Sequence, residues 1–382
     1  MKKLVRITTV PSSLRTLLKG QHRFMSAYYE VIGVSSYGEP LKEVQLNEGI
    51  KTFSVEMTRS ITPFQDLKSV YNLYKFFRKE KPFIVHTHTP KAGTVGLLAA
   101  KLARVPHRLH TVAGLPLLET KGFKRRLLDI VEKFTYKCAT LVLPNSKGLK
   151  DIILDYQYTK PEKLKVIGNG SSNGIDTKHY DINLVNELDK TNLKQELKIN
   201  ENDIVFIFIG RIVKDKGINE LVNAFNKLST TYSNAKLLLV GPRENHLDPL
   251  LPETENLILS NKNILPVGIQ KDIRPYEAIS QALVFPSYRE GFPNVVLQAS
   301  CMELPCIVSD INGCNEIISH SNNGILIPPK DEKAIFNAME YLISNPKEIL
   351  RMKKNTRSQI IERYDQDFVW NEMLKCYKSL EH

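Results

Sequence analysis

The stretch of this chain that best indicates chemistry is residues 287–298, with the sequence Ser-Tyr-Arg-Glu-Gly-Phe-Pro-Asn-Val-Val-Leu-Gln. It follows a buried-strand pattern at residues 282–286 and leads into an apolar run that is typical of a helix. The start of a helix has unpaired N–H groups and a partial positive charge, so it binds anions and polar groups of ligands. A carboxylate in such a place is unsuited to phosphate but suits the hydroxyl groups of a sugar. Glu290 is therefore the first candidate for function.

Basic residues follow a second apolar strand pattern, in residues 210–217. An arginine presents a planar fork to phosphate oxygens, and a lysine a few residues later adds a point charge. Arg211 and Lys216 could therefore neutralise a leaving diphosphate without a metal ion. The alternative is a solvated basic turn, but the position at the end of a strand favours function.

Three histidines lie in two other predicted strands. His110 ends one of them, and a lone histidine on a strand usually has a structural role. His86 and His88 share one face of the other strand, as in half of a metal site. No carboxylate or cysteine at a suitable spacing completes that set, so we expect no bound metal ion. The segment 168–174, rich in Gly, Asn and Ser, tolerates positive φ and exposes N–H groups, which fits a phosphate cradle and a plain loop equally well.

The elements that must position these residues are short β-branched runs, which alternate with longer helical patterns. Strands with few polar positions, separated by helices, indicate parallel sheets that helices cover on both faces. We therefore expect an α/β fold with two doubly wound, Rossmann-like domains, residues 1–180 and 181–363. Ligands bind at the carboxyl ends of such strands, so two facing domains would form one cleft. The predicted strands are 4–9, 29–35, 52–57, 83–88, 108–112, 140–144 and 164–167, then 204–210, 236–241, 264–268, 283–286, 306–309 and 324–327.

The composition is that of an ordinary globular protein. A length of 382 residues suits two domains, and 42% hydrophobic with 25% charged residues can fill two cores. No apolar run approaches the roughly 18 residues that cross a bilayer, and the N-terminal residues lack the pattern of a secretion signal, so we expect a cytoplasmic protein. The five cysteines are odd in number and scattered, which indicates buried thiols and argues against disulfides or zinc.

The net charge of +12 is unevenly distributed along the chain. Residues 1–180 hold 30 Lys and Arg against 14 Asp and Glu, a net charge of +16. The remaining 202 residues hold 23 Lys and Arg against 27 Asp and Glu, a net charge of −4. The basic half would face an anionic membrane, a pyrophosphate-bearing acceptor or nucleic acid, unless the surplus lysines only maintain solubility.

Two amphipathic helix patterns in the basic half, residues 66–80 and 121–137, bear on this choice. Such apolar stripes usually pack on a core, but the basic flanks make one of these helices a candidate membrane-facing surface. The predicted core stripe of the first helix consists of Leu67, Val70, Tyr71, Tyr74 and Phe77.

Five segments, in this order and spacing, resemble the retaining family 4 glycosyltransferases of GT-B fold, especially bacterial members that make capsular and lipid-linked polysaccharides. They are residues 85–93, 110–115, 168–176, 210–217 and 286–298, and the resemblance covers nearly the whole chain. It implies an N-terminal domain that binds the acceptor and a C-terminal domain that binds the donor. A terminal helix, residues 364–382, would cross back onto the first domain. The resemblance implies no metal ion and no cofactor, and the donor substrate would be a nucleotide sugar, usually a UDP-sugar.

The resemblance also implies roles for individual residues. Arg211 and Lys216 match the pair that binds the donor diphosphate. Glu290 matches the first acid of a Glu-x7-Glu motif, which binds hydroxyl groups of the donor sugar, and His110 matches the histidine beside the transferred sugar. The turn whose backbone approaches sugar and phosphate corresponds to Gly291, Phe292 and Asn294.

The chain departs from the family pattern at two places. Gln298 stands where the family usually has its second acid, which holds the ribose hydroxyls; an amide can still hydrogen-bond a hydroxyl. The Gly-Gly loop that many members carry after the first strand is replaced by residues 11–14, Pro-Ser-Ser-Leu, a variant associated with capsular-type members.

The predicted function is transfer of a hexosyl or N-acetylhexosaminyl group from a UDP-sugar to a lipid-linked or saccharide acceptor in surface polysaccharide synthesis. Arg211, Lys216 and a helix start would stabilise the departing diphosphate while the acceptor hydroxyl attacks from the same face, so that the configuration is retained. The expected acceptor is a polyprenyl-diphosphate-linked sugar, bound where the basic lobe rests on the anionic inner face of the plasma membrane.

Two alternatives stay open. A sugar-nucleotide epimerase of similar two-lobed architecture would convert the donor with no acceptor. A non-catalytic protein could use the basic half to bind nucleic acid, but the aromatic residues lie mostly in strands or on helix stripes, so we expect no such partner.

Overall fold

The computed structural model describes residues 1–58, 60, 62–244 and 248–381. Contacts along the chain divide it into two compact units. The first unit comprises Met1–Gly174 and Asp367–His382, and the second comprises Ile175–Gln366. That these units are an acceptor-binding and a donor-binding domain stays a prediction, as do the domain limits at residues 180 and 363.

The first unit contains a six-stranded, fully parallel sheet in the order β3-β2-β1-β4-β5-β6. Its central strands, β1 and β4, are almost completely buried, because helices cover both faces of the sheet, and they hold Arg6, His86 and Thr87 among apolar neighbours. The strands are β1 (Lys3–Ile7), β2 (Glu30–Ser35), β3 (Lys51–Ser54), β4 (Ile84–Thr87), β5 (His107–Val112) and β6 (Leu141–Pro144).

The second unit repeats this plan with the order β12-β11-β10-β7-β8-β9, again fully parallel. The run Ile-Val-Phe-Ile-Phe-Ile of β7 forms the centre of a core that includes residues from every strand of this sheet. The strands are β7 (Ile204–Ile209), β8 (Ala235–Val240), β9 (Ile264–Gly268), β10 (Ala282–Phe285), β11 (Cys306–Ser309) and β12 (Gly324–Ile327).

Helices connect consecutive strands in both units. In the first unit they are α1 (Pro11–Leu17), α2 (Gln21–Ser26), α3 (Glu39–Glu48), α4 (Pro63–Glu80), α5 (Pro90–Leu102), α6 (Gly122–Cys138) and α7 (Lys147–Asp155). The second unit has α8 (Glu187–Glu196), α9 (Ile218–Thr231), α10 (Pro252–Ser260), α11 (Arg274–Ala278), α12 (Asn294–Cys301), α13 (Cys314–Ile317), α14 (Glu332–Ser344) and α15 (Pro346–Tyr364). Short 3-10 helices span Pro116–Glu119, Pro161–Lys163, Ile182–Leu184 and Lys214–Lys216.

The last helix, α16 (Gln366–Lys378), packs on the core of the first unit through Met373, Leu374 and Tyr377. The Tyr377 hydroxyl hydrogen-bonds Nδ1 of His86 at 2.6 Å, and the guanidinium of Arg6 donates to it at 3.3 Å. The chain therefore returns to the first unit after completing the second.

The predicted α/β class and the two doubly wound parallel sheets are confirmed, with two corrections. Residues 164–167 do not form a seventh strand; a single bridge joins Leu164 to Val142. The stripe predicted for α4 was right for Val70, Tyr74 and Phe77, which lie in or against the core. It was wrong for Leu67 and Tyr71, which are 64% and 56% exposed, and it omitted the buried Leu73 and Phe76.

The cysteine prediction is confirmed, since all five thiols are free and buried. Within the described ranges, no helix combines the length and the apolar character that a membrane-spanning segment needs.

Candidate active site

The topology of the second sheet brings the predicted site residues together. Its strand order reverses between β7 and β10, which pair with each other. The connections from these two strands leave in opposite directions, which opens a crevice at their carboxyl ends where ligands of such sheets bind. Arg211 and Lys216 follow β7, and Glu290 follows β10. The three side chains therefore converge on the position that α/β proteins use for ligands.

Groups from three segments hold Glu290 in place. Lys216 Nζ forms an ion pair with its Oε1, and Ser287 Oγ donates a hydrogen bond to the same oxygen at 2.9 Å. The amide of Asn312, in the loop after β11, donates to the backbone carbonyl of Glu290. The Lys216 and Glu290 side chains are each 15% exposed, so their charges attract more strongly than a surface pair would. Glu290 Oε2 makes no hydrogen bond to any residue that the structure describes, so it can accept one from a ligand.

Arg211 lies between two carboxylates. Its guanidinium contacts Glu244 Oε2 at 2.8 Å and Asp215 Oδ2 at 3.8 Å. Burial disfavours the charged form, but the hydrogen bond to Glu244 and the charges of Asp215, Glu244 and Glu290 outweigh it and raise the pKa of Arg211. Arg289 contacts the same Asp215 oxygen at 2.9 Å. Cations and carboxylates thus alternate along the crevice, and an entering diphosphate could replace the carboxylates.

The backbone segments after β7 and β10 are in direct contact. Gly217, immediately after Lys216, has φ +72°, and a Cβ atom there would lie 2.2 Å from the carbonyl oxygen of Pro286. The backbone N–H of Tyr288 donates to the carbonyl of Asp215 at 3.0 Å. This contact sets the distance between the loop that carries Lys216 and the loop that carries Glu290.

The turn predicted to approach sugar and phosphate leads into α12, whose first residue is the exposed Asn294. Phe292 is buried against the ring of Tyr364, with centroids 5.2 Å apart. Gly291 lies against Gly313, where a Cβ atom would be 2.4 Å from the Gly291 carbonyl oxygen. Among the described side chains none caps the start of α12, so its first N–H groups can bind a ligand.

Gln298 lies one turn further along α12 and is half-buried. Its Nε2 donates to the hydroxyl of Tyr180 at 2.8 Å. The side chain is therefore oriented by a residue that precedes the first helix of the second unit.

His110 belongs to the first unit, where it is 3% exposed. The hydroxyl of Thr87 donates to the Leu109 carbonyl at 3.2 Å and lies 2.7 Å from His110 Nδ1. When the hydroxyl donates to Leu109, Nδ1–H donates to Thr87, and in that tautomer Nε2 is an acceptor. Burial lowers the pKa of His110 to about 4, so the imidazole is neutral at pH 7.

Several residues that contact the candidate site were not predicted from the sequence, namely Asp215, Glu244, Arg289, Asn312 and Tyr180. Asn312 could have been noticed, because it too follows the carboxyl end of a strand. Asp215 and Arg289 lie within segments 210–217 and 287–298, which the sequence already indicated, and Asp215 is four residues from Arg211. Glu244 and Tyr180 contact Arg211 and Gln298 across 33 and 118 residues of chain, so local patterns carry no signal for them.

The two histidines considered as half of a metal site differ in their contacts. Both ring nitrogens of His86 are used, by Tyr377 and by Thr111 at 2.8 Å. His88 is buried and its ring lies 4.0 Å from that of His86. In the described parts of the chain, no three His, Cys, Asp or Glu side chains form a group that could hold a metal ion.

Comparison with known families accounts for most of the chain. The model described as "Glycosyl transferases group 1" matches residues 189–359, and the "Glycosyl transferase 4-like domain" matches residues 26–170. The capsular polysaccharide biosynthesis glycosyltransferase CapM of Staphylococcus aureus is 34% identical over 99% of this chain and 97% of its own length. The chain belongs to the family 4-like glycosyltransferases. The predicted family is therefore confirmed.

Other similar proteins support this glycosyltransferase assignment. The UDP-Gal:alpha-D-GlcNAc-diphosphoundecaprenol alpha-1,3-galactosyltransferase of Escherichia coli is 32% identical over 84% of this chain and 81% of its own length. Anabaena HepE, solved in complex with UDP, has a TM-score of 0.81 at 18% identity over 99% of this chain and all of its own. At that identity the likeness concerns the fold alone, and it confirms that this glycosyltransferase has the GT-B fold.

Proposed function

We propose that this glycosyltransferase transfers a sugar from a UDP-sugar to a lipid-linked acceptor, with retention of configuration, in surface polysaccharide synthesis. The observation that carries the proposal is the convergence of Arg211, Lys216 and Glu290 at the reversal point of the second sheet. A diphosphate needs preorganised cations, and a sugar needs a hydrogen-bond acceptor beside them.

Several names of similar proteins support the finer parts of this proposal. The E. coli relative is named for UDP-Gal and for a diphosphoundecaprenol acceptor, and CapM is named for capsular polysaccharide. HepE has been solved with UDP-glucose. A uridine nucleotide and a polyprenyl-diphosphate-linked sugar are therefore the substrates that we propose for this chain.

In the proposed reaction, the diphosphate displaces the carboxylates from Arg211 and binds Lys216. Glu290 binds hydroxyl groups of the transferred sugar through its free Oε2. As the bond from the anomeric carbon to the diphosphate breaks, negative charge grows on the leaving oxygen, and the two fixed cations stabilise it without reorganisation. The acceptor hydroxyl attacks from the face that the diphosphate leaves, its proton passes to the departing diphosphate oxygen, and the configuration is retained. We assign His110, with Nε2 free to accept, to a hydroxyl of the transferred sugar, and Gln298 to the ribose.

Thermal unfolding with UDP, GDP, ADP and their sugar derivatives tests the donor site. A ligand at about 100 times its dissociation constant adds roughly 2.7 kcal/mol to the stability of the native state. We expect stabilisation by the uridine series, with the effect lost in Arg211→Ala and retained in Arg351→Ala, a matched control whose guanidinium pairs with Glu348 on α15. Stabilisation that survives in Arg211→Ala, or that is lost equally in both variants, would contradict this donor site.

We further propose that α6 contacts an anionic membrane. The side chains of Phe123, Leu127, Ile130 and Phe134 are 82%, 38%, 65% and 41% exposed. At 100° per residue they fall within an arc of about 60°, so they form one apolar stripe that faces away from the core. Such a stripe on a basic helix suits the boundary between lipid headgroups and acyl chains.

The charges on α6 support the same assignment. Lys124, Arg126 and Lys133 are exposed beside the stripe. The two acids of the helix are less exposed than these cations: Asp129 pairs with Arg125 at 2.9 Å, and Glu132 is half-buried, with a pKa that burial raises. The exposed surface of the helix is therefore apolar and cationic, which complements anionic lipid.

Co-sedimentation with phosphatidylglycerol-containing vesicles tests this surface. Replacing Phe123 by Ser removes a side chain whose burial is worth roughly 2 kcal/mol, so we expect more than tenfold weaker partitioning. Leu259→Ser is the matched control, because Leu259 is 80% exposed on α10 of the second unit. Equal partitioning of the two variants would argue against α6 as the contact.

A further inference from the structure

Only one end of the Gln298 side-chain amide makes a hydrogen bond to a described residue. Its Nε2 donates to the Tyr180 hydroxyl at 2.8 Å, and Oε1 makes no hydrogen bond to any of the described residues and is not enclosed. An amide has one acceptor end and one donor end. Because the bond to Tyr180 uses the donor end, the acceptor end is left open to a ligand.

The backbone of Tyr180 is itself fixed by two neighbouring groups. The guanidinium of Arg357 and the thiol of Cys301, 3.1 Å away, both donate to its backbone carbonyl. Arg357 also donates to the carbonyl of Thr177 at 2.8 Å and contacts Asp181 at 3.1 Å, so it clamps the segment around Tyr180. Burial raises the pKa of the Tyr180 hydroxyl, so that it stays a neutral phenol. The backbone of Tyr180 is therefore held in place, and its neutral hydroxyl contacts the amide.

We propose that Tyr180 is a positioning residue, which turns the Gln298 amide so that Oε1 accepts a hydrogen bond from a ribose hydroxyl of the donor nucleotide. The inference rests on the proposed donor site. A carboxylate presents two equivalent acceptor oxygens, so it works in either orientation. An amide presents one, so a chain with Gln at this place needs Nε2 to be held away from the ribose, and the Tyr180 hydroxyl accepts a hydrogen bond from Nε2 there.

The test compares the affinity of the full-length protein for UDP with its affinity for 2′,3′-dideoxy-UDP, by isothermal titration calorimetry. The ratio of the two dissociation constants measures recognition of the ribose hydroxyls and cancels general effects on the site. One hydrogen bond corresponds to about a fivefold change in affinity, or ~1 kcal/mol. We expect Tyr180→Phe to weaken UDP binding about fivefold and to leave the affinity for dideoxy-UDP unchanged.

Two further variants separate positioning from general structural support. Gln298→Met removes the amide, and this single substitution should abolish the preference for UDP over dideoxy-UDP. In a Gln298→Glu background, Tyr180→Phe should change the ratio less than twofold, because a carboxylate needs no orienting partner. Tyr232→Phe is the matched control, since it removes a tyrosine hydroxyl that bonds Ser344 in the same unit at 3.4 Å.

The possible results distinguish the inference from the function on which it rests. If the wild type binds UDP but Tyr180→Phe leaves the ratio unchanged, or weakens both ligands equally, Tyr180 does not orient the amide. An effect of Tyr180→Phe that is as large in the Gln298→Glu background as in the natural chain would overturn the inference as well. If the wild type binds none of UDP, GDP and ADP, the proposed donor site fails, and the inference fails with it.

Discussion

Replacing Gly217 by alanine tests whether the contact between the loops after β7 and β10 holds the second unit and its site together. Gly217 has φ +72°, where a residue with a side chain loses about 1–2 kcal/mol. The new methyl group would also lie 2.2 Å from the oxygen and 2.9 Å from the carbon of the Pro286 carbonyl. These are backbone atoms at the end of a buried strand, so the chain must shift, at a further cost of about 1–3 kcal/mol. We expect Gly217→Ala to lower the free energy of unfolding of this unit by about 2–5 kcal/mol.

Gly268 provides a control that isolates the contact from the backbone strain. It ends β9 in the same unit with φ +69°, but a Cβ atom there would have no neighbour within 4 Å. Gly268→Ala should therefore cost only the conformational part, about 1–2 kcal/mol. The difference between the two variants, about 1–3 kcal/mol, measures the clash with Pro286.

Native-state hydrogen exchange with mass spectrometry is the suitable assay, because a chain of two units need not unfold in one transition. Peptides from β7 and α9 report the opening free energy of the second unit directly. The same clash would move Lys216 relative to Glu290, so UDP should bind Gly217→Ala more weakly than Gly268→Ala. Equal stability losses in the two variants would refute the idea that the loop contact, rather than the unusual φ, makes glycine necessary.

Two further predictions concern the first unit. A Cβ atom at Gly93 would lie 2.5 Å from Cε1 of His110, so Gly93→Ala should displace the imidazole. We expect sugar transfer to fall by roughly tenfold or more while the affinity for UDP stays unchanged. Unaltered transfer would contradict the role assigned to His110. Burial lowers the pKa of His110 to about 4 and that of His22 to about 3, so the unfolded chain, with histidine near pKa 6.5, takes up protons first as the pH falls. The stability that these neutral side chains contribute is complete above pH 6.5 and is lost toward pH 4, by about 3 kcal/mol for His110. Urea unfolding followed by the fluorescence of Trp370, the chain's single tryptophan, should show this loss of stability. The loss should be smaller in His110→Gln. A urea midpoint that is constant from pH 7 to pH 5 would disprove the prediction.

The positions of the strands and of the central site residues were accessible from local sequence. Short β-branched runs between helical patterns located all twelve strands of the two sheets, although β3 is mostly exposed and β1 and β4 contain buried polar residues. Ligands of parallel sheets bind at strand ends, so unusual residues after those runs identified Arg211, Lys216 and Glu290. The same signal was misleading at residues 164–167, where an apolar run makes one bridge and no strand.

Helix α4 illustrates where periodicity fails. Its apolar residues form two stripes, and both have helical spacing. The stripe with Leu73 and Phe76 is buried, whereas Phe64, Leu67 and Tyr71 are exposed. Packing against α5 determines which of the two stripes is buried. The sequence of α4 does not indicate which helix packs against it.

The partners of the site side chains likewise depend on tertiary packing and not on local sequence. Lys216 and Glu290 are 74 residues apart in the chain, and Tyr180 and Gln298 are 118 apart. Each residue type, and its place at a strand or helix end, follows from short-range rules of burial and backbone geometry. Which carboxylate meets which cation, and which hydroxyl orients the amide, depends on the order of the strands and on the way the connecting loops pack, because those contacts form only once distant segments are brought together.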